Sequence, residues 1–176
     1  QPFLIWYAPF LPHTPHDSPE EYFNAYRDTS VEAHRIPYYA AITQFDDTVG
    51  ELIDAIESRG LSRKTLFVFV SDNGFEPLKT NPNQYTVKSK RSPFDPGLRT
   101  PILLRWDGEI APGPRDEWVS SLDLFPTVLA VANIGLDRST PGLNLLANAT
   151  EVEPLPKHRA LFGEIYPGDA STLGNP

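Results

Sequence analysis

The run Thr65-Leu66-Phe67-Val68-Phe69-Val70 constrains the fold of this chain more than any other stretch. It is continuously apolar and rich in β-branched and aromatic residues, where a half-exposed strand would alternate. A strand of this kind is buried on both faces, which calls for a parallel sheet covered by helices. The preceding segment supplies one such helix. Ile42, Phe45, Val49, Leu52, Ile53 and Ile56 recur at helical spacing over residues 37–59. Pro37 suits the first turn, Arg59 the last, and Gly60 follows as a C-terminal cap.

The rest of the chain is read around that unit. Residues 3–8, apolar and bounded by Pro2 and Pro9, predict a central strand. Residues 9–19 form a Pro/His-rich loop and 20–28 a short helix. A long loop spans 74–99, a second buried strand 101–106, and an extended segment 116–122. A helix is expected over 124–133, with Asp123 as its cap and Pro126 in its first turn. Residues 135–157 read as loop and 159–166 as a last strand. This order is the α/β pattern, in which ligands gather at the carboxyl ends of strands. The stretches just after residues 8, 70 and 106 are therefore the first places to look for a site.

Bulk properties narrow the function. With 176 residues, 40% of them hydrophobic and 22% charged, the chain can build one domain with a core. The net charge of −8 argues against a nucleic-acid partner, which needs a basic face. It leaves room for a small anionic substrate, because a few local cations outweigh a distant negative surface. The absence of cysteine excludes disulfides, thiolate metal sites and a cysteine nucleophile within these residues. No apolar run reaches the ~20 residues of a membrane span. The chain opens at Gln1 without methionine and stops soon after a strand-like run, so it reads as a piece of a larger fold.

Three clusters could carry chemistry. Asp72-Asn73-Gly74 follows the buried strand directly. A carboxylate and an amide oxygen are hard ligands suited to Ca2+ or Mg2+, and Gly74 lets the chain turn away sharply; the other reading is a plain turn. Pro12-His13-Thr14-Pro15-His16 follows the first strand and offers two imidazoles in a proline-set loop. These are candidate acid/base groups, or else solvated side chains. Lys88-Ser89-Lys90-Arg91 puts three cations in four residues, either an oxyanion site or a solvated run. Arg99 is assigned a structural ion pair, and Asp46-Asp47 an exposed helix face. Asn148-Ala149-Thr150 matches a glycosylation triplet, a pattern common by chance.

In this order the motifs resemble the sulfatase family of the alkaline-phosphatase-like superfamily. The resemblance rests on PFLIWYAPFLPHTPH, YYAAITQFDDTVGELIDAIESRG, TLFVFVSDNG, KRSPFDPGLRTPILLRW and VSSLDLFPTVLA, which cover most of residues 1–134. It implies an α/β/α sandwich with a mainly parallel central sheet, here incomplete. Residues 1–176 would be part of a catalytic domain, without the nucleophile-bearing N-terminal part and the C-terminal subdomain. It implies that Asp72 and Asn73 are two ligands of a divalent metal, Ca2+ in most of the family, with Mg2+ the alternative. His13, in the Pro-His-x-Pro pattern, would bind the sulfate ester near its leaving oxygen. Lys90, four residues before Phe94, would contact the same group. His16 and Lys88 take those roles if the register is one step off.

Two departures stand out. The family's glycine pair reads Pro96-Gly97 here. The early acidic pair and the Cys/Ser-x-Pro-x-Arg segment, whose Cys or Ser becomes formylglycine, are not in these residues. The activity the resemblance implies is hydrolysis of a sulfate monoester, on a small molecule or a saccharide. The rival readings are a phosphonate or phosphodiester hydrolase of the same superfamily and a non-catalytic binding protein that keeps the fold. A periplasmic or secreted location would suit the family.

Overall fold

A computed structural model describes residues 1–135, 139–156 and 159–163. Its longest element is α2, Ile36–Glu57, preceded by the short α1, Glu20–Asn24. Pro37 lies in the first turn of α2, where a missing N–H costs nothing. The far end closes as the sequence predicts. Gly60 takes φ +67°, and the Leu61 amide reaches back to the Ile56 carbonyl at 3.2 Å, so the last carbonyls are satisfied. Ala40, Ala41 and Ile56 are its buried positions.

A 3-10 turn, Ser62–Lys64, leads into β1, Phe67–Val70. The partner of β1 is β4, Ile102–Arg105, and the ladder is antiparallel: Phe67 faces Arg105 and Val70 faces Ile102. The apolar run suggested a parallel neighbour. Topology decides otherwise for this pair, because a parallel return needs a crossover to the opposite end of the sheet. Residues 71–101 contain only a small antiparallel hairpin, β2 (Pro77–Leu78) with β3 (Asn81–Tyr85), and the four-residue α3, Asp95–Leu98. The chain therefore re-enters β4 from the end at which it left β1.

Other expectations shift as well. Residues 3–8, expected as a central strand, join no ladder among the described residues, and Leu4 and Trp6 are 73% and 84% exposed. Apolar sequence creates a demand for burial but does not supply the neighbour that meets it. The expected extended segment 116–122 is loop closing in a 3-10 turn, Ser121–Asp123. The helix expected over 124–133 is α4, Leu124–Val131, and the 135–157 loop contains α5, Leu146–Ala149. Residues 159–163 form no strand, and 164–166 lie outside the described residues.

Asp123 does more than cap a helix. The cap at this corner is Ser120, whose hydroxyl accepts from the Leu122 amide. Asp123 is fully buried and accepts from the amides of Ser120 and Leu143, both at 2.7 Å. Arg159 closes on it with two 2.6 Å bonds. Burial alone would push this carboxyl up. The Arg159 guanidinium and the two amides outweigh that and hold it below the ordinary carboxylate value. Thr127, also buried, donates to the Asp123 carbonyl at 2.6 Å and accepts from the Leu145 amide at 2.8 Å. One carboxylate thus ties α4, the 140–145 segment and residue 159 together.

Removing one partner of a buried, bidentate pair strands the other charge. Asp123→Ala is expected to lower stability by about 3–5 kcal/mol, read by denaturant unfolding of the protein. Because the folded carboxyl is depressed, its contribution is fully present above the ordinary pKa of ~3.9 and is lost as acid protonates the folded group. Wild type and variant should converge in strong acid.

Candidate active site

The end of β1 delivers Asp72 and Asn73 into a tight turn. The Asn73 amide donates to Asp72 Oδ1 at 2.8 Å, and the Ser71 hydroxyl donates to the Asn73 carbonyl at 3.0 Å. Asn73 Nδ2 donates to the Gly74 carbonyl at 3.1 Å, which fixes the side-chain flip and turns Oδ1 away from that bond. Asp72 Oδ2 and Asn73 Oδ1 make no hydrogen bond among the described residues. The pair therefore offers two hard oxygens at a strand's carboxyl end, suited in chemistry to Ca2+ or Mg2+. They are a fraction of the six to eight such a cation takes. Among the described residues, no group of three or more His, Asp or Glu gathers to complete a shell.

This turn is locked to the loop that carries Lys90. The Gly74 amide donates to the Gly97 carbonyl at 2.9 Å. A Cβ on Gly74 would stand 1.9 Å from the Pro96 carbonyl oxygen, and one on Gly97 would stand 2.2 Å from that of Ser89. Both positions need glycine because backbone presses on backbone. The Pro96-Gly97 departure does not break this arrangement, since Pro96 falls in the first turn of α3 and Gly97 is buried. Ser89, fully buried, bonds the Thr86 carbonyl through its amide at 3.1 Å and its hydroxyl at 3.0 Å.

His13 comes from the loop that precedes α1. Its Nδ1 lies 2.8 Å from the Thr14 carbonyl, and a carbonyl only accepts, so Nδ1 carries the hydrogen. That leaves the Nε2 lone pair of a neutral ring, and Lys90 Nζ donates to it at 3.3 Å across 77 residues of sequence. Lys88 instead rests over the Phe94 ring, 5.4 Å from its centroid. Of the two lysines, Lys90 meets the histidine.

His16 does not join that contact. It is 7% exposed, with ring centroids 5.4 Å from both Tyr38 and Phe75. Neither ring nitrogen has a hydrogen-bond partner among the described residues. Burial pulls the imidazole below its ordinary value, against the pull of the Pro12 and Pro82 carbonyls and Asp17. Its amide donates to Asn83 Oδ1 at 3.1 Å, pinning the loop of His13 to β3. Asn83, Ser89 and the Tyr38–Phe75 pair carry no sequence signature of a site; only the structure shows that they pack against the loops of His13 and Lys90.

The remaining candidates stay apart. Arg99, expected in an ion pair, is exposed and pairs with no carboxylate among the described residues. Asp46 and Asp47 are exposed on α2. Asn148 donates to Glu117 at 3.1 Å. No helix among the described residues is long and apolar enough to cross a membrane.

The sulfatase family model matches residues 1–134. The chain is 33% identical over 153 residues to the uncharacterized sulfatase YdeN of Escherichia coli K12, covering 83% of this chain and 27% of that protein. It is 31% identical over 173 residues to human arylsulfatase A, covering 96% and 33%. The crystal structure of Ps i-CgsB, also solved with k-i-k-neocarrahexaose, superposes with a TM-score of 0.65 at 28% identity, covering 81% of this chain and 32% of that one. The chain spans about a third of the length of the curated relatives it matches.

The depressed His16 sets a pH dependence. Between its lowered folded value and ~6.5 the unfolded chain binds the extra proton. Stability should fall as the pH drops through that window. His16→Phe keeps the stack and the backbone bond, so its unfolding midpoint should decline less between pH 6.5 and 5 than that of the wild type.

Proposed function

The chain belongs to the sulfatase family, and from that premise we propose that the protein hydrolyses a sulfate monoester at the rim formed by His13, Lys90, Asp72 and Asn73. The observation that carries the reading is the 3.3 Å contact between His13 Nε2 and Lys90 Nζ. It brings the His13 imidazole to the ammonium of Lys90, whose neighbour Ser89 packs against Gly97 and so, through the Gly74–Gly97 bond, joins the backbone of the turn that ends β1.

A sulfate monoester is anionic and resists attack by electron-rich nucleophiles. Lys90 would direct a positive charge toward the sulfate oxygens. The Thr14 carbonyl holds Nδ1–H of His13 and so aims Nε2 at the ester. When Nε2 is protonated, it donates that proton to the departing alcohol oxygen, which leaves as a neutral alcohol. Asp72 and Asn73 would hold a divalent cation, Ca2+ or Mg2+, through their uncommitted oxygens. Such a cation supplies charge neutralisation at the non-bridging oxygens. The remaining ligands and the formylglycine nucleophile belong, in this reading, to residues outside these 176, which form part of the catalytic domain. The substrate class is a small-molecule or saccharide sulfate ester.

In the complete protein, Lys90→Ala and His13→Ala should each lower kcat/KM on 4-nitrophenyl sulfate by ~10²–10⁴-fold. Asp72→Ala should raise the Ca2+ concentration needed for half-maximal binding in calorimetric titration. Residues 1–176 purified alone should turn over no aryl sulfate. Robust hydrolysis by that piece, or full activity of both alanine variants, contradicts the assignment.

A further inference from the structure

A cleft of about 270 Å3 opens one residue beyond the Asp72-Asn73-Gly74 turn. It is lined by Arg35, Tyr38, Tyr39, Phe75, Glu76 and Pro96, among others. Its place beside the rim follows from the run of α2 against β1. Glu57, at the helix end, pairs with Arg105, which faces Phe67 at the start of β1. Phe45, mid-helix, meets Phe69 with centroids 6.0 Å apart. Tyr38, in the first turns, meets Phe75 just past the strand, at 5.0 Å. The helix start therefore stands at the end of the sheet where Asp72 and Asn73 lie. Two of the cleft's walls, Phe75 and Pro96, are continuous with the Gly74–Gly97 lock.

The lining is amphipathic and charge-balanced. Tyr38, Tyr39 and Phe75 give aromatic faces. Arg35 pairs with Glu76 at 3.2 Å and Glu32 at 3.3 Å, Lys79 pairs with Glu32 at 3.0 Å, and Thr86 donates to Glu76 at 3.1 Å. The lining itself holds one cation, Arg35, and one carboxylate, Glu76, so the cleft has no surplus positive charge with which to take a second sulfate. A paired guanidinium and carboxylate beside aromatic rings suit a neutral ring that carries hydroxyls on its edge and C–H groups on its face. A steroid or other fused hydrocarbon would leave the Arg35–Glu76 pair desolvated and uncompensated. The volume falls just under the ~300–1,000 Å3 of sites for drug-sized ligands, which suits a single sugar ring.

We propose that this cleft is a subsite for an unsulfated pyranose ring of a saccharide substrate, with Tyr38, Tyr39 and Phe75 as the platform and Arg35 and Glu76 as the hydroxyl partners. The proposal rests on the sulfatase reading of the neighbouring rim and names the substrate class of that site.

The test uses the complete protein and two substrates: 4-nitrophenyl sulfate, which carries no sugar ring, and the best-hydrolysed member of a panel of sulfated di- to hexasaccharides. Glu76→Gln and Arg35→Gln should each raise KM for the saccharide at least tenfold and leave both constants for the aryl sulfate within twofold. In the wild type, the desulfated form of the same saccharide should inhibit aryl sulfate hydrolysis competitively, a readout that needs no variant to fold. Equal effects on both substrates, no effect on either, or no inhibition by the desulfated saccharide overturns the subsite. Hydrolysis of the aryl sulfate with none of the panel also overturns it and leaves the sulfatase reading standing. No hydrolysis of any sulfate ester sinks the reading itself, and the subsite with it.

Discussion

Backbone pressed on backbone at Gly74 and Gly97 is the constraint on which the site depends. The Asp72–Gly74 turn lies against Pro96 and Gly97, and Gly97 lies against Ser89, one residue before Lys90. No side chain fits between these layers. The turn that carries the oxygen pair and the loop that carries Lys90 are therefore packed backbone to backbone. Buried hydroxyls, Ser89 and Ser92 among them, serve where aliphatic packing would in an ordinary core. Hydrogen-bonded loop geometry of this sort is directional, which favours precise placement of a charge over sheer stability.

The two histidines of one loop divide the work. His13 stands exposed with one nitrogen tied to Thr14 and the other facing Lys90. His16 turns inward to the Tyr38–Phe75 pair and anchors the loop through Asn83. The same aromatic pair forms part of the neighbouring cleft. The aromatic pair that anchors the loop of His13 thus also shapes the surface beside it. The chain's net charge of −8 does not exclude the proposed anion site, because a local cation such as Lys90 outweighs a distant negative surface.

Some of this was legible in the sequence. The long helix could be read because its apolar spacing, Pro37 and Gly60 all agree. The Asp72-Asn73-Gly74 turn stood out because it follows a continuously apolar strand. The roles of His13 and Lys90 came from family resemblance, since neither spacing nor composition can report a contact across 77 residues. The sense of the β1–β4 pairing was not legible, because a two-sided apolar run says how deeply a strand is buried and nothing about its neighbour's direction. The exposure of residues 3–8 was missed for a related reason: that segment has no pairing partner among the described residues. Asp123 looked like a simple cap because sequence spacing cannot report a guanidinium partner, Arg159, that lies 36 residues away.

The central claim is that His13 and Lys90 act on one ester as a unit. A double-mutant cycle in the complete protein tests it most directly, with kcat/KM on 4-nitrophenyl sulfate for His13→Ala, Lys90→Ala and the double variant. Shared action predicts that the double variant loses little more than the worse single one. Losses that multiply in full would show two independent side chains and contradict the account.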